Sequence, residues 1–290
     1  MSTAGHFRRL YGTRNRFQRS SILNITTAQT FSERQALQAI PAGQAADEAF
    51  SAAQPNDIKL RINALDWNAA AHSLDQYGNA VLPRLLTPAE CRAVAALYPN
   101  DALYRSRIVM SRHGFGRGEY KYFRYPLPEP IARLRSAIYP HLVPIANRWN
   151  EAMRIAVRFP DAHTDFIRRC HEAGQTRPTP LLLEYGPDDY NCLHQDLYGE
   201  HVFPIQVAIL LSQPGEDFEG GEFVMTAQSS SRPARADIVA LDQGDAVIFT
   251  VNTRPVPGKR GISRLAMRHG VSRVLSGRRH TLGIIFHDAR

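Results

Sequence analysis

The chain has 290 residues and a mass of 32.5 kDa, the size of one large domain or of a core domain with extensions. Hydrophobic residues make up 43% and charged residues 21%, which excludes wholesale disorder, and the longest apolar runs, such as 207–211, fall far short of the ~18 residues of a bilayer-spanning helix. The net charge is +8, but residues 1–32 hold five arginines (Arg8, Arg9, Arg14, Arg16, Arg19) and no acid, so +5 of it sits in a tail and +3 in the rest.

That tail is rich in Ser, Thr and Gln and lacks the apolar segment of a secretory signal. Residues 1–60 are expected to be a disordered basic leader, with a composition that also resembles an organelle transit peptide. Cys91, Cys170 and Cys192 are widely spaced and form no CxxC pair. This excludes a disulfide scaffold and a cysteine zinc site, fits a reducing compartment, and makes a cytoplasmic location the expectation.

Structure is predicted to begin near Leu60, opening a helical support region over 61–178. Asp66 can cap a helix running to Tyr77, with Gly78 ending it, and Ala80-Val81-Leu82 reads as a short strand. Thr87-Pro88-Ala89-Glu90 is a helix start, with a capping threonine, a first-turn proline and a glutamate three residues on. Further helices are predicted over about 130–153 and 162–173, before Gln175-Thr176-Arg177-Pro178-Thr179-Pro180 breaks the pattern. Between them, 104–125 reads as a Gly-rich, aromatic and basic loop.

From 179 to 290 the pattern changes to that of a β-core. Phe203, Ile205, Val207, Ile209 and Leu211 alternate, the period of a strand with one buried face. Short strands are predicted over 222–226, 237–241, 245–251, 264–269, 271–275 and 279–287, most of them separated by Gly- or Pro-containing turns. Seven or eight such strands in about 110 residues, with no helix between them, imply a jelly roll. The expected fold is therefore α+β, a double-stranded β-helix core in the C-terminal half supported by N-terminal helices.

His194-Gln195-Asp196 opens the β-rich half. Residues i and i+2 of a strand face one side, so His194 and Asp196 can offer a nitrogen and a carboxylate oxygen to one ion. His269, on a late strand, can complete a two-histidine, one-carboxylate face, a set that holds iron(II) and leaves positions open for oxygen chemistry. If Ser276-Gly277 is a turn, Arg279 lies on the returning strand, about five residues from His269 along the hairpin, roughly 16 Å at ~3.3 Å per residue. An extended guanidinium meeting a metal-chelated dicarboxylate spans most of that distance, and its planar fork suits a carboxylate. Arg278 sits one residue early, and a slipped turn would exchange the two arginines' faces.

The HxD…H pattern with an arginine ten residues past the second histidine resembles the iron(II)- and 2-oxoglutarate-dependent dioxygenases, with a prolyl-hydroxylase-like core over about 180–290. Leu182-Leu183-Glu184-Tyr185-Gly186, Gly220-Gly221-Glu222-Phe223, Gly244-Asp245-Ala246-Val247-Ile248-Phe249 and His269-Gly270-Val271 carry that likeness. Over the longer span 82–288 the chain is similar to a bacterial group of predicted oxygenases assigned to oxidative repair of damaged nucleic acid. That likeness rests on the stretches 112–120, 191–200 and 280–288. The resemblance implies that His194, Asp196 and His269 bind iron(II) and that Arg279 clasps 2-oxoglutarate, with Tyr185 and Thr281 as second contacts. It implies an oxidoreductase that consumes 2-oxoglutarate and O2, releases succinate and CO2, and hydroxylates its substrate; on a methylated base this ends in demethylation. The alternatives are a hydroxylase of protein or small-molecule substrates, of prolyl type, and a non-catalytic β-helix binding module.

Residues 104–125 hold Arg105, Arg107, Arg112, Arg117, Lys121 and Arg124 among six aromatic residues, with Glu119 as the one acid. Basic groups track phosphates while rings stack on bases, so nucleic acid, single-stranded or with a flipped base, is the expected partner. The competing reading is a hairpin whose aromatics pack on the helices. No membrane association and no obligate protein partner are expected. His201, His280 and His287 lack a partner at ligand spacing and are expected to be ordinary polar side chains, and Cys192 a buried small hydrophobe.

Overall fold

The computed structural model describes residues 57–197, 199–229, 232–258 and 261–290. The expected leader falls outside these residues except for 57–60, which open the first helix, α1 (Asp57–Ala64). In α2 (Trp67–Tyr77) the Asp66 carboxylate accepts the Ala69 N–H at 2.9 Å, and Gly78, at φ 84°, closes the last turn on the Leu74 carbonyl. Strand β1 (Asn79–Leu82) leads into α3 (Pro88–Ala95), where Thr87 and Glu90 form the expected capping box. Glu90 is 2% exposed and also pairs with Arg61 at 2.7 Å, so the box ties α3 to α1.

The segment 104–125 is not a loop. It forms β2 (Tyr104–Val109), β3 (Gly116–Arg117) and β4 (Glu119–Phe123). Tyr104, Tyr120, Tyr122 and Phe123 are buried, because both faces of β4 are covered: Tyr120 and Tyr122 face the space between the sheets, while Phe123 joins Tyr104 in the core on the other side. Gly116 is required here: a Cβ would sit 2.3 Å from the Tyr190 carbonyl oxygen. Helix α4 (Glu129–Ala152) buries Leu134, Ile138, Leu142, Ile145 and Trp149, one stripe at helical spacing, and α5 (His163–Glu172) packs against it.

The remaining strands are β5 (Leu181–Tyr185), β6 (Tyr190–His194), β7 (Ile205–Leu210), β8 (Phe218–Gly220), β9 (Phe223–Ser229), β10 (Arg232–Val239), β11 (Ala246–Thr250), β12 (Thr253–Gly258), β13 (Gly261–Val271), β14 (Val274–Gly277) and β15 (Arg279–Ile284). The major sheet has seven strands in the order β1-β11-β7-β15-β5-β4-β2. The minor sheet runs β10-β9-β13-β6-β3 with β12 on β13, and β14 pairs with β8. Among the described residues the pairings between these strands are antiparallel, and the two larger sheets are the two faces of the expected jelly roll.

Four expectations about elements change. β7 is buried along its whole length, not on one face. Ile205, Val207 and Ile209 join the core formed with α4, while Gln206, Ala208 and Leu210 face inward between the sheets. β12 reads poorly as a strand because of Pro255 and Pro257, but it pairs on one side alone, where missing donors are tolerated. β13 is longer than the expected 264–269 and runs on to Val271, so the strand expected over 271–275 begins only at Val274, as β14. Gly270 lets β13 lie close to β6, since a Cβ there would be 2.6 Å from the Asn191 carbonyl oxygen. Finally, β1, β2 and β4 extend the major sheet, so the helical support region also supplies strands and the boundary near 178 crosses a continuous sheet.

Candidate metal and cosubstrate site

His194 ends β6 and is paired across the strands with His269 on β13, while Asp196 follows two residues after His194. Cross-strand pairing places the imidazoles side by side, with ring centroids 4.2 Å apart. Each turns its Nε2 toward Asp196, His194 at 3.5 Å from Oδ1 and His269 at 3.5 Å from Oδ2. One ligand atom from each residue lies within 4.8 Å of the others, and among the described residues this is the cluster able to hold a metal ion. Separations of 3.5 Å are long for hydrogen bonds and suit donors arranged around a common ion.

Supporting contacts fix the donors. His194 Nδ1 lies 2.8 Å from the Cys192 carbonyl oxygen, so it carries the proton and Nε2 presents its lone pair inward. Between the ligands, Gln195 donates to Asn252 Oδ1 at 2.9 Å and to the Met267 carbonyl at 2.8 Å, tying the HxD segment to β13. Phe249 lies 4.5 Å from the His269 ring and shields that side. Burial works against the charged form of Asp196, but both imidazoles outweigh it and hold the carboxyl well below the usual range. The residues present therefore fit a divalent cation with oxygen and nitrogen preference.

The ligands line a cavity of about 190 Å³ between the sheets. Arg279, the first residue of β15, enters the same cavity from the major sheet and is 2% exposed. Its Nη1 donates to Thr281 Oγ1 at 2.5 Å, and its Cζ stands 5.6 Å from the Tyr185 ring, which the β15–β5 register places opposite. Among the described residues no carboxylate lies within ion-pair distance of Arg279, and its Nε has no hydrogen-bond partner. Burial pulls its pKa down to about 10, which leaves it charged at neutral pH. A buried cation without a counter-ion is costly, and an anionic ligand relieves it. The expected route to this position differs from the observed one: β15 does not return along β13 but crosses to the major sheet after Gly277. Arg278 points outward, is 68% exposed and pairs with Glu184 at 3.0 Å.

Other wall residues escaped notice in the sequence. Gln206 on β7 is 3% exposed, lines the cavity, and its Nε2 has no hydrogen-bond partner. Leu210 pairs with Thr281, and β7 and β15 run antiparallel, so Gln206 and Arg279 occupy opposite ends of the major-sheet wall. Tyr120 and Tyr122 reach the cavity from β4. The inward positions of β4, β5, β7 and β15 are the signal, and only the sheet order assembles them.

Of the remaining histidines, His280 pairs with Glu184 at 3.0 Å, and His287 Nδ1 accepts the Phe203 N–H at 3.2 Å. Neither they nor His201 join the ligand cluster. Cys192 is exposed, not buried: the β13–β6 register slips between the Val271–Asn191 and His269–His194 pairs, and this irregularity breaks the strand alternation around Cys192. The basic stretch is partly neutralised. Lys121 is buried against Asp101 and the Tyr98 carbonyl, and Arg107 pairs with Glu119.

Residues 118–289 match the model of a family described as "Oxygenase, catalysing oxidative methylation of damaged DNA". Two curated relatives from Mycobacterium tuberculosis, strains CDC 1551 / Oshkosh and ATCC 25618 / H37Rv, are each 47% identical over 167 residues. Each alignment covers 58% of this chain and 72% of the relative, and both relatives are named only as uncharacterized proteins. Among solved structures, a Pseudomonas putida prolyl-4-hydroxylase is similar at a TM-score of 0.45 and 14% identity, over 77% of this chain and 99% of that one. A prolyl hydroxylase from Trichoplax adhaerens, in complex with a hypoxia inducible factor peptide fragment, gives a TM-score of 0.48 and 12% identity, over 76% and 87%.

Proposed function

The chain belongs to the family of oxygenases described as catalysing oxidative methylation of damaged DNA, and it works with iron(II), 2-oxoglutarate and O2; from that premise we propose that it oxidises a damaged base, with His194, Asp196 and His269 holding the iron and Arg279 holding the cosubstrate. The observation that carries this reading is the uncompensated, buried Arg279 in the same cavity as the ligand cluster. Iron(II) bound there supplies the oxidation, in which one oxygen atom of O2 enters a substrate C–H bond and the other enters succinate as 2-oxoglutarate loses CO2.

The side chains do the rest. Arg279 binds the carboxylate of 2-oxoglutarate remote from the metal, and Thr281 orients the guanidinium through its hydroxyl. Tyr185 closes the end of the pocket against the guanidinium face. The apolar walls, Leu181, Leu183, Phe223 and Phe249 among them, exclude water from the reacting carbon. Gln206, at the end away from Arg279, offers an amide donor and acceptor to the polar edge of a base. Oxidation of a methyl group on a base nitrogen gives a hydroxymethyl group, which leaves as formaldehyde and restores the N–H. The product is an undamaged base.

The test is formaldehyde and succinate release from a methylated single-stranded oligonucleotide, beside the same reaction on a proline-containing peptide. Stoichiometric release from the oligonucleotide is expected. Turnover stimulated by the peptide, with the oligonucleotide at the no-substrate level, would sink the nucleic-acid reading while keeping the reaction class.

A further inference from the structure

A second cavity, of about 230 Å³, shares Phe115, Tyr120 and Tyr122 with the first. These three aromatic side chains line both cavities and stand between them. Arg105, His113 and Arg290 line the second cavity, and no aspartate or glutamate does.

Arg105 is held in place rather than left to wave in solvent. It sits where the β2–β4 register slips between Tyr104 and Ser106, and such a bulge re-aims a side chain. Its Nε donates to the Pro178 carbonyl at 2.8 Å, and its Cζ lies 4.5 Å over the Tyr122 ring. Those contacts use one edge and one face of the guanidinium and leave its terminal nitrogens without an ion-pair partner among the described residues. On the shared wall, Phe115 is 46% exposed and stacks on His113 at 5.5 Å and 22°. Its carbonyl accepts the Cys192 N–H at 2.8 Å, so this exposed ring stands on a backbone pinned two residues from His194.

Resting on the nucleic-acid reading of the first cavity, we propose that the second cavity takes the neighbouring nucleotide of the same strand. Arg105 meets the linking phosphate, and the Phe115–His113 pair stacks on the neighbour's base. The unit recognised is then a dinucleotide, one base in each cavity with the aromatic wall between them. An acid-free, arginine-lined cavity suits a phosphodiester, and a fixed exposed ring suits a base face.

The experiment uses the full chain with iron(II) and 2-oxoglutarate. It compares a methylated nucleoside, a methylated dinucleotide with a natural phosphodiester, and the same dinucleotide with a neutral methylphosphonate link. Dissociation constants of the unmethylated counterparts are measured alongside. A charged hydrogen bond of ~1.5–3 kcal/mol corresponds to roughly 10- to 100-fold. The natural dinucleotide is expected to exceed the nucleoside by that factor in both kcat/KM and affinity, and the neutral link to remove most of the gain. In Arg105→Gln and in Phe115→Ala the ratio of dinucleotide to nucleoside should collapse toward one.

Equal values for nucleoside and dinucleotide in the wild type would overturn the second site while leaving nucleic acid as the substrate. Equal loss on both substrates in Arg105→Gln would overturn it too, since Arg105 would then act only by supporting Tyr122. No turnover of any methylated nucleic acid, with turnover of an acidic peptide, would instead remove the premise.

Discussion

Arg279 is the residue at which stability and function pull in opposite directions. Its guanidinium is 2% exposed and lacks a carboxylate partner among the described residues, so folding bears a desolvation penalty, which in the proposed role the 2-oxoglutarate carboxylate offsets. Arg279→Met should therefore leave the melting temperature unchanged or raise it, while the KM for 2-oxoglutarate rises at least about 10-fold, as expected for loss of a charged hydrogen bond. A thermal scan with a 2-oxoglutarate titration checks both; a large fall in melting temperature would mean that Arg279 is structural. At the opposite end, Gln206→Leu replaces the unpartnered amide with an apolar group of similar size. The KM for the nucleic-acid substrate should rise with that for 2-oxoglutarate unchanged, and initial-rate kinetics in both substrates separate the two. The HxD pair was legible because strand period puts i and i+2 on one side, although β6 ends at His194 and Asp196 reaches the same side from the segment just after it. Gln206 was not, since an isolated glutamine in an apolar run carries no spacing signal and acquires meaning only opposite Phe249 and beside β15.

Among the elements, the C-terminal segment after β15 is fastened to α4 by a buried ion pair. Arg135 and Asp288 meet at 2.8 Å and are 2% and 0% exposed, and Asp288 also accepts from Tyr125 and His171, each at 2.8 Å. Burial would raise the Asp288 pKa, but Arg135 and these donors outweigh it and lower it below the aspartate norm. A depressed folded-state pKa gives stability that is complete above the unfolded value and lost as pH falls through the folded one. Denaturant midpoints should thus hold near neutrality and drop below roughly pH 4, and Asp288→Asn should flatten that drop while lowering stability by about 3 kcal/mol at pH 7. A variant as acid-sensitive as the parent would place the sensitivity elsewhere. The helix ends were readable in advance, as Thr87 and Asp66 show, because capping is local chemistry. The strands of 104–123 were not, because their glycines and charges mask an alternation that only pairing with β5 reveals.

At the scale of the molecule, sequence pattern located the β-core but could not place β1, β2 and β4 on its edges, since β1 joins the sheet through β11 and β4 through β5, pairings between segments far apart in sequence. His194 and Arg279 are about 85 residues apart in sequence, yet both line one cavity. No helix among the described residues is long and apolar enough to cross a membrane. Charge also acts at this scale: with a net charge of +8, oligonucleotide binding should weaken steeply as salt rises, with log Kd changing linearly with log salt. Anisotropy titrations between about 50 and 200 mM salt measure the slope, and a flat response would argue against phosphate contacts. The most direct test of the central claim is succinate formation from 2-oxoglutarate with iron(II) and O2, comparing the wild type with Asp196→Ala, with and without a methylated single-stranded oligonucleotide. The wild type should form succinate, faster with the oligonucleotide, and Asp196→Ala should form none. Silence from both proteins with iron verifiably bound to the wild type would contradict the assignment of the site.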